Sequence, residues 1–429
     1  MRTLFLFGPL LVSVMLIQLG VGVLGPLDVL SGEAYAFSAQ EIGLLGSAHF
    51  VGFFIGCVAA PMLMARAGHS RAFSVVAAAG VLSALGHPIL PDPVAWMLLR
   101  VLAGFAVAGG YTVIESWLQA KLKNSNRGRI LSMYRVVDMA GSVGSQLLIV
   151  TLEPASYVSY NIVAAVAVLS LLPLALTVSK APPSPRSPRL RPLKAIRLSP
   201  LGAFGVVVVG LTSSSFRMVG PLYGSALNLT IETLALFLAA AMFGGVVAQP
   251  GVGWLADKFD RRRVLVWISV AALLVCAGLS TGVATASPTT LIIGSFLFGA
   301  AAMPLYSISA AHANDHCPAD EVVELNASLI FLFAVGAIVS PTVAAMLIDA
   351  YGPNALWLYI AAAHVALIVF SLYRMTRRPT PTERTRYRYL PRTSMTLSRL
   401  FKSPEDPSHG EPRPAESETS SVGAGPSPR

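Results

Sequence analysis

"LIIGSFLFGAAAMPLYSISAA", Leu291 to Ala311, carries no charged side chain. As a helix, a run of this length crosses a hydrocarbon core of roughly 30 Å. A membrane-crossing strand needs only about ten residues that alternate apolar and polar, and this run does not alternate. Similar stretches recur along the 429-residue chain, which is 54% hydrophobic and 12% charged, with a mean hydropathy of +0.66. The expected class is therefore an all-α polytopic membrane protein, which excludes an ordinary soluble domain and a transmembrane barrel.

Apolar runs set against loop signals predict twelve spans. The first six fall near residues 4–30, 41–63, 71–90, 94–119, 129–152 and 157–179. The second six fall near 200–225, 231–255, 264–284, 288–311, 325–349 and 355–373. The opening "MRTLFLFGPLLVSVMLIQLGVGVLGPLDVL" is read as the first span, because its apolar part is too long for a signal peptide and has no small-residue cleavage site. Cys57, Cys276 and Cys317 have neither disulfide nor zinc spacing. No GxxxxGK[ST] phosphate loop occurs, so ATP-driven transport is not expected and no cofactor is called for.

Basic residues gather on alternate connections: Arg66 and Arg71, Lys121 to Arg129, Lys180 to Arg197, Lys258 to Arg263, and from Arg374 onward. The intervening loops "LSGEAYAFSAQE", "HPILPDP" and "TASPTT" carry almost none. By the positive-inside rule both termini and the middle loop are cytoplasmic, in a bacterial-type inner (plasma) membrane. The net charge of +10 follows from this pattern and from anionic lipid headgroups, so no nucleic-acid partner is expected.

The chain also repeats itself. Gly104 and Tyr111 recur 195 positions later as Gly299 and Tyr306, Gly141 recurs as Gly336, and "LGPL" at Leu24 recurs as "VGPL" at Val219. The expected organisation is a six-helix half at 1–179, a Pro, Ser and basic linker at 180–199, a second six-helix half at 200–373, and a basic, then disordered, cytoplasmic tail at 374–429. Parallel repeats of this kind place a substrate site between the halves near the membrane midplane.

"GWLADKFDRRRVL", Gly253 to Leu265, lies between the second and third spans of the second half and resembles the loop signature of the major facilitator superfamily. Gly253, Asp257, Lys258, Arg261, Arg262 and Arg263 match it, while Asp260 stands where a second glycine is usual. The resemblance implies a conformational latch, with the Asp capping or pairing across a helix end and the basic residues contacting the opposite half. The first-half loop "PMLMARAGHSRAF" keeps Gly68 but has Pro61 and Ala65 at the Gly and Asp positions, which puts the latch on the second half. "ESWL" at Glu115 and "PLYS" with "AHANDH" at Pro304 to His316 resemble the YcaD-like branch. That resemblance covers roughly residues 1–375 and implies architecture more than cargo.

An ionisable side chain inside a span costs at least about 2.5 kcal/mol at the helix centre, so each should face a cavity or a partner. Arg100, Glu115, Arg135, Asp138 and Arg217 are the candidates. Arg100 lies in an Arg-x-x-x-Gly string that resembles the superfamily's proton-coupling signature. Together with Arg217, and with no obvious acidic neighbour, it favours an anion in the outer cavity; the plainer reading of Arg217 is snorkelling to headgroups. Glu115, Arg135 and Asp138 form a candidate cytoplasmic gate, with protonation of a carboxylate coupling it to a proton gradient; a permanently paired structural cluster is the competing reading. Tyr111 and Tyr306 are candidates to bracket a substrate. Pro221, Pro304 and Pro341 are expected to bend spans seven, ten and eleven. His312, Asn314, Asp315 and His316 do not make a metal site.

The functional expectation is a monomeric secondary transporter of a small organic solute, with anions favoured, driven by protons and working by alternating access, and not an enzyme. Its partners are that solute, the proton and membrane lipids. The alternative is a transporter-like receptor or assembly protein whose basic tail recruits partners.

Overall fold

The computed structural model describes residues 2–122, 127–175, 189–281, 287–318 and 320–377. The expectations for Lys123, for most of the linker and for the tail beyond Arg377 lie outside the described residues. The first helices are α1 (Arg2–Ala34), α2 (Ala39–Ala67), α3 (His69–Gly86), α4 (Pro93–Lys121), α5 (Arg127–Leu148), α6 (Tyr157–Leu169) and α7 (Leu171–Ala175). A short α8 (Pro192–Leu198) precedes α9 (Pro200–Ala226), α10 (Ile231–Lys258), α11 (Arg261–Leu279), α12 (Pro288–Ala302), α13 (Leu305–Asn314), α14 (Val322–Tyr351) and α15 (Ala355–Arg377).

Ten membrane-length apolar helical segments occur among the described residues, with α6–α7 and α12–α13 each counting as one. Two of the twelve expected spans fall short of that measure. Helix α3 opens on His69, Ser70 and Arg71, and α5 carries Arg127, Arg129, Arg135 and Asp138. Both still pack as full members of the bundle, α3 on α4 and α5 on α1. Large apolar side chains such as Leu82, Leu98, Leu274 and Val369 are exposed around the outside, as hydrocarbon contact requires.

Local chemistry sets the helix ends. Ser38 and Glu41 form a reciprocal capping box at the start of α2, and Asp92, Thr230 and Asp260 each accept a backbone N–H at the starts of α4, α10 and α11. Pro93, Pro200 and Pro288 open helices where no intrahelical N–H is needed. Gly68, at φ 79°, is the one residue between α2 and α3, a left-handed turn that glycine accommodates without steric cost. Of the three prolines expected to bend spans, Pro304 breaks the tenth into α12 and α13, whereas Pro221 and Pro341 sit inside continuous helices.

The repeat is visible in the packing. A Cβ on Gly104 would run into the backbone carbonyl of His49, and one on Gly52 into that of Val101, so α2 and α4 cross backbone to backbone. The second set repeats the crossing: Gly299 faces the Ala241 carbonyl and Gly244 that of Phe296, where α10 meets α12. Gly141 seats α5 on α1 beside Met15, and Gly336 seats α14 on α9 beside Val207. The 195-residue offset thus relates equivalent helix crossings.

The two sets of helices meet through α1 with α9, α2 with α14 and α5 with α10. Much of this contact is at the end holding Asp28. There Gly43 lies against Pro341 and Ala345, and Ser47 Oγ is 2.7 Å from Thr342 Oγ1. Toward the middle, Phe50 and Phe54 meet Phe333 and Phe331 edge to face at 6.3 and 5.3 Å. Helix α4 is not among the described helices that pack substantially on α12 or α13. The interface is therefore tightest at the Asp28 end and looser toward the end carrying Arg66, Lys121 and Lys258.

Candidate functional site

A cavity of about 190 Å³ lies between the two helix sets. Helices α1, α2, α4 and α5 line it from one side, and α9, α10, α13 and α14 line it from the other. Both Tyr111 and Tyr306 reach it, so the two tyrosines at the repeat offset occupy matching walls. Tyr306 is buried edge-on against Phe333 at 5.9 Å.

Three formally charged side chains touch the cavity: Arg100, Asp138 and Arg217. Asp138 accepts a short hydrogen bond from the Tyr111 hydroxyl, and Arg135 Nη1 is 4.0 Å from its other oxygen. The Tyr111 oxygen is also 2.9 Å from the side-chain amide of Gln18. A phenol has one proton, so with that proton given to Asp138 the amide of Gln18 must present its N–H₂. These contacts link α1, α4 and α5 at one depth.

Arg100 has the acidic neighbour that its own segment did not suggest. Asp28 of α1 places Oδ2 3.3 Å from Arg100 Nη1 and 3.2 Å from His87 Nε2, while its Oδ1 accepts from the Tyr160 hydroxyl at 2.9 Å. The His87 ring stacks on Tyr160, and its Nδ1 is 2.6 Å from the Ser83 carbonyl, which can only accept. Three buried groups, from α4, α6 and the end of α3, thus surround the one carboxylate of α1. Arg100 Nη2 reaches Met218 Sδ of α9 at 3.2 Å, so the cluster touches the opposite helix set. The two-arginine reading of the outer cavity is corrected accordingly, since one of its charges is matched inside the protein.

Arg217 is different. It faces the cavity rather than snorkelling away, and it makes no side-chain hydrogen bond or ion pair among the described residues. Beside it lies His49, which is only 8% exposed and whose Nδ1 has no partner. The Gly104 crossing brings His49 against α4 one turn from Arg100.

The expected gate trio is arranged on α4 and α5. Glu115, buried toward the basic end, accepts from Tyr134 at 2.7 Å, and Arg135 lies over the Tyr134 ring at 5.6 Å. Tyr134 is the intermediary that connects the Glu115 and Arg135–Asp138 regions.

In the charged loop, Gly253 is buried, Asp257 and Arg263 are exposed, and Lys258 lies over Trp254 at 4.6 Å. Arg261 is buried: it donates to the Ala311 carbonyl at 2.8 Å and to Asp315, and it lies 3.8 Å from Asp257. Asp260 caps Arg262 N and clasps its guanidinium at 2.8 to 3.2 Å, which explains a carboxylate where glycine is usual. These pairs join the start of α11 to the end of α13, both within the second set.

The sequence model of the Major Facilitator Superfamily matches residues 10–281 and, again, residues 202–405. The chain belongs to the major facilitator superfamily. The two matches overlap on the second helix set, in keeping with the superfamily's repeated architecture. An uncharacterized MFS-type transporter YcaD of Escherichia fergusonii is 26% identical over 365 residues, covering 85% of this chain and 94% of that one. Among solved structures, a mutant of the nucleoside transporter NupG superposes with a TM-score of 0.74 at 13% identity, covering 87% of this chain and 100% of that one. A D-xylose-proton symporter gives 0.69 at 13% identity, covering 89% and 99%. These structures share the major facilitator fold with the chain. A transporter, not an enzyme, is what the superfamily implies.

Asp28 and His49 are the site residues that sequence reasoning missed, and Asp315, weighed there only as a metal ligand, is the acidic partner of Arg261. Asp28 stands in "GPLDVL" and His49 in "GSAHFVGFF", each a lone polar group within an apolar run, and that was the available signal.

Proposed function

We propose that this superfamily member is a secondary transporter that carries a small organic solute by alternating access and draws on a proton gradient. The observation that carries this reading is the cavity at the interface, walled by both helix sets at repeat-related positions and touched by three charged side chains within membrane-length helices. The packing at the Asp28 end and the freedom of α4 from α12 and α13 fit a state closed at one end. With the basic loops cytoplasmic, that state faces inward. The units that rock are residues 1–179 and 200–373, joined by 180–199, in a monomer of the inner (plasma) membrane with both termini cytoplasmic.

Two carboxylates suit proton coupling. Asp28 holds Arg100 at the cavity wall, so protonating it frees the guanidinium; Asp138 does the same for Arg135 and Tyr111. Glu115 and Tyr134 extend the second group toward the proposed cytoplasmic mouth. The D-xylose-proton symporter couples its sugar to protons on the same fold, which favours this driving force. Arg261 and Asp315, with the Gly253 to Arg263 loop, serve as the brace that makes α11 and α13 move as one body.

The test is solute accumulation in vesicles under an imposed pH gradient, with Arg100→Ala and Glu115→Gln beside the wild type. Gradient-driven flux that is lost while solute exchange persists supports coupling. Flux unchanged in both variants overturns the coupling assignment.

A further inference from the structure

The cavity wall has an uneven charge balance. Of the three formally charged groups that touch it, Arg100 is matched by Asp28 and Asp138 by Arg135. Arg217 makes no hydrogen bond or close ion pair among the described residues, although it lies in a membrane-crossing helix; Asp138, the carboxylate that acts on it, is already engaged by Arg135 and Tyr111. A guanidinium without a direct hydrogen-bond partner in such surroundings is costly, and an anion that takes its donors relieves it. A neutral ligand makes a weaker bond to the guanidinium, and a dianion brings its second charge toward Asp138 on the same wall. Arginine also suits a carboxylate or sulfonate because its planar fork of donors matches their oxygens.

The rest of the wall describes the body of that ligand. Met139, Met218, Met242 and Met303 converge from α5, α9, α10 and the break between α12 and α13, with Phe50 and Phe333 beside them. Thioethers on unbranched stems adapt to apolar shapes and favour aromatic neighbours. Several neutral polar groups of the wall are already engaged: Gln249 donates to Ser307 at 3.3 Å, Ser213 donates to the Val209 carbonyl at 2.7 Å, and Gln18 meets Tyr111. A polyol therefore finds few free partners. The volume of about 190 Å³ is below the roughly 300–1,000 Å³ of sites for drug-sized ligands, so the body is small.

We propose that this cavity binds a small organic monoanion with an apolar body, typified by an aromatic monocarboxylate, with Arg217 on the anionic group and the four methionines around the body. His49, which lines the cavity beside Arg217, is the second polar group of the anion end. This deepens the transporter reading and rests on it for its physiological sense, but the binding is measurable without any flux.

The experiment is thermal stabilisation of the purified full chain in detergent, since a ligand that binds only the folded state raises its apparent stability. The probes are benzoate and benzenesulfonate, their neutral isostere benzamide, the dianion phthalate, sodium chloride, glucose and uridine. Stabilisation by the two monoanions but not by benzamide, phthalate or chloride is expected. Arg217→Gln should weaken it at least about tenfold, the scale of one charge-assisted hydrogen bond, while Arg217→Lys keeps part of it. Unliganded melting of each variant separates lost binding from lost folding. Stabilisation by glucose or uridine, an equal response to benzamide, a response to chloride alone, an undiminished response in Arg217→Gln, or no response to any probe overturns the proposal. Benzenesulfonate does not cross bilayers unaided, so its counterflow in proteoliposomes tests the transporter reading separately. Binding without counterflow removes transport and leaves the ligand class standing, whereas uridine or glucose flux does the reverse.

Discussion

Replacing Gly104 with alanine tests the geometry on which the site depends. The added Cβ would meet the His49 backbone carbonyl, and no flexible side chain is there to yield. Helices α2 and α4 would have to part by about 1.5 Å to restore ordinary contact, and overpacking of this kind costs about 1–3 kcal/mol. Because the opposing atom is backbone, a loss near about 3 kcal/mol is expected. The mirror substitution Gly299→Ala presses on the Ala241 carbonyl in the same way and should cost the same within about 1 kcal/mol. Gly251→Ala is the control: it lies inside α10 with nothing near its Cβ position, so helix propensity predicts a neutral effect or a gain of up to about 1 kcal/mol. Reversible unfolding in mixed micelles measures all three. The close crossings are refuted if Gly104→Ala and Gly299→Ala unfold with the control. Gly104→Ala should also weaken monoanion binding, because it separates His49 from α4.

Other consequences follow from single contacts. Arg261→Ala should lower stability by about 3–5 kcal/mol in the same unfolding assay, because it strands a buried Asp315. Lys194→Ala, which removes a 2.5 Å but partly exposed pair with Glu321, should cost under about 1 kcal/mol, and high salt should erase the difference. Asp28→Asn should abolish pH-gradient-driven accumulation while preserving solute exchange, measured in proteoliposomes. Cys317 lies in the loop after α13, where burial first and Glu321 second push its thiol up to about 11. It therefore stays a thiol at neutral pH, and maleimide labelling of the folded protein should remain slow at pH 7.5 and accelerate only as pH approaches that value.

Much of the fold was legible because the membrane leaves so few solutions. Continuous apolar runs, proline at helix starts and the 195-residue offset are all local or periodic signals, and the offset led directly to equivalent glycine crossings at Gly104 and Gly299. The site was legible in part. Arg100, Asp138, Arg217 and the two tyrosines all reach the cavity, since an ionisable group in a span has few other places to go. What stayed hidden was pairing. Asp28 and Arg100 are far apart in sequence, and only the packing of α1 on α4 makes them one unit. Arg261 read as one basic residue among several in a loop until the end of α13 supplied Ala311 and Asp315. The methionine lining was hidden for a different reason, because a methionine in an apolar span gives no sign of whether it faces a neighbour, lipid or a cavity.

The central claim is that the two helix sets rock about the cavity, and it predicts opposite movements at the two ends. Spin labels at the exposed positions Arg66 and Arg263 report on the basic end, and labels at Gln40 and Tyr351 report on the Asp28 end. Double electron–electron resonance in lipid nanodiscs should give two populations for each pair. A long distance at one end should accompany a short one at the other, and their ratio should shift with pH. One fixed distance for each pair at every pH, with or without benzenesulfonate, would contradict alternating access.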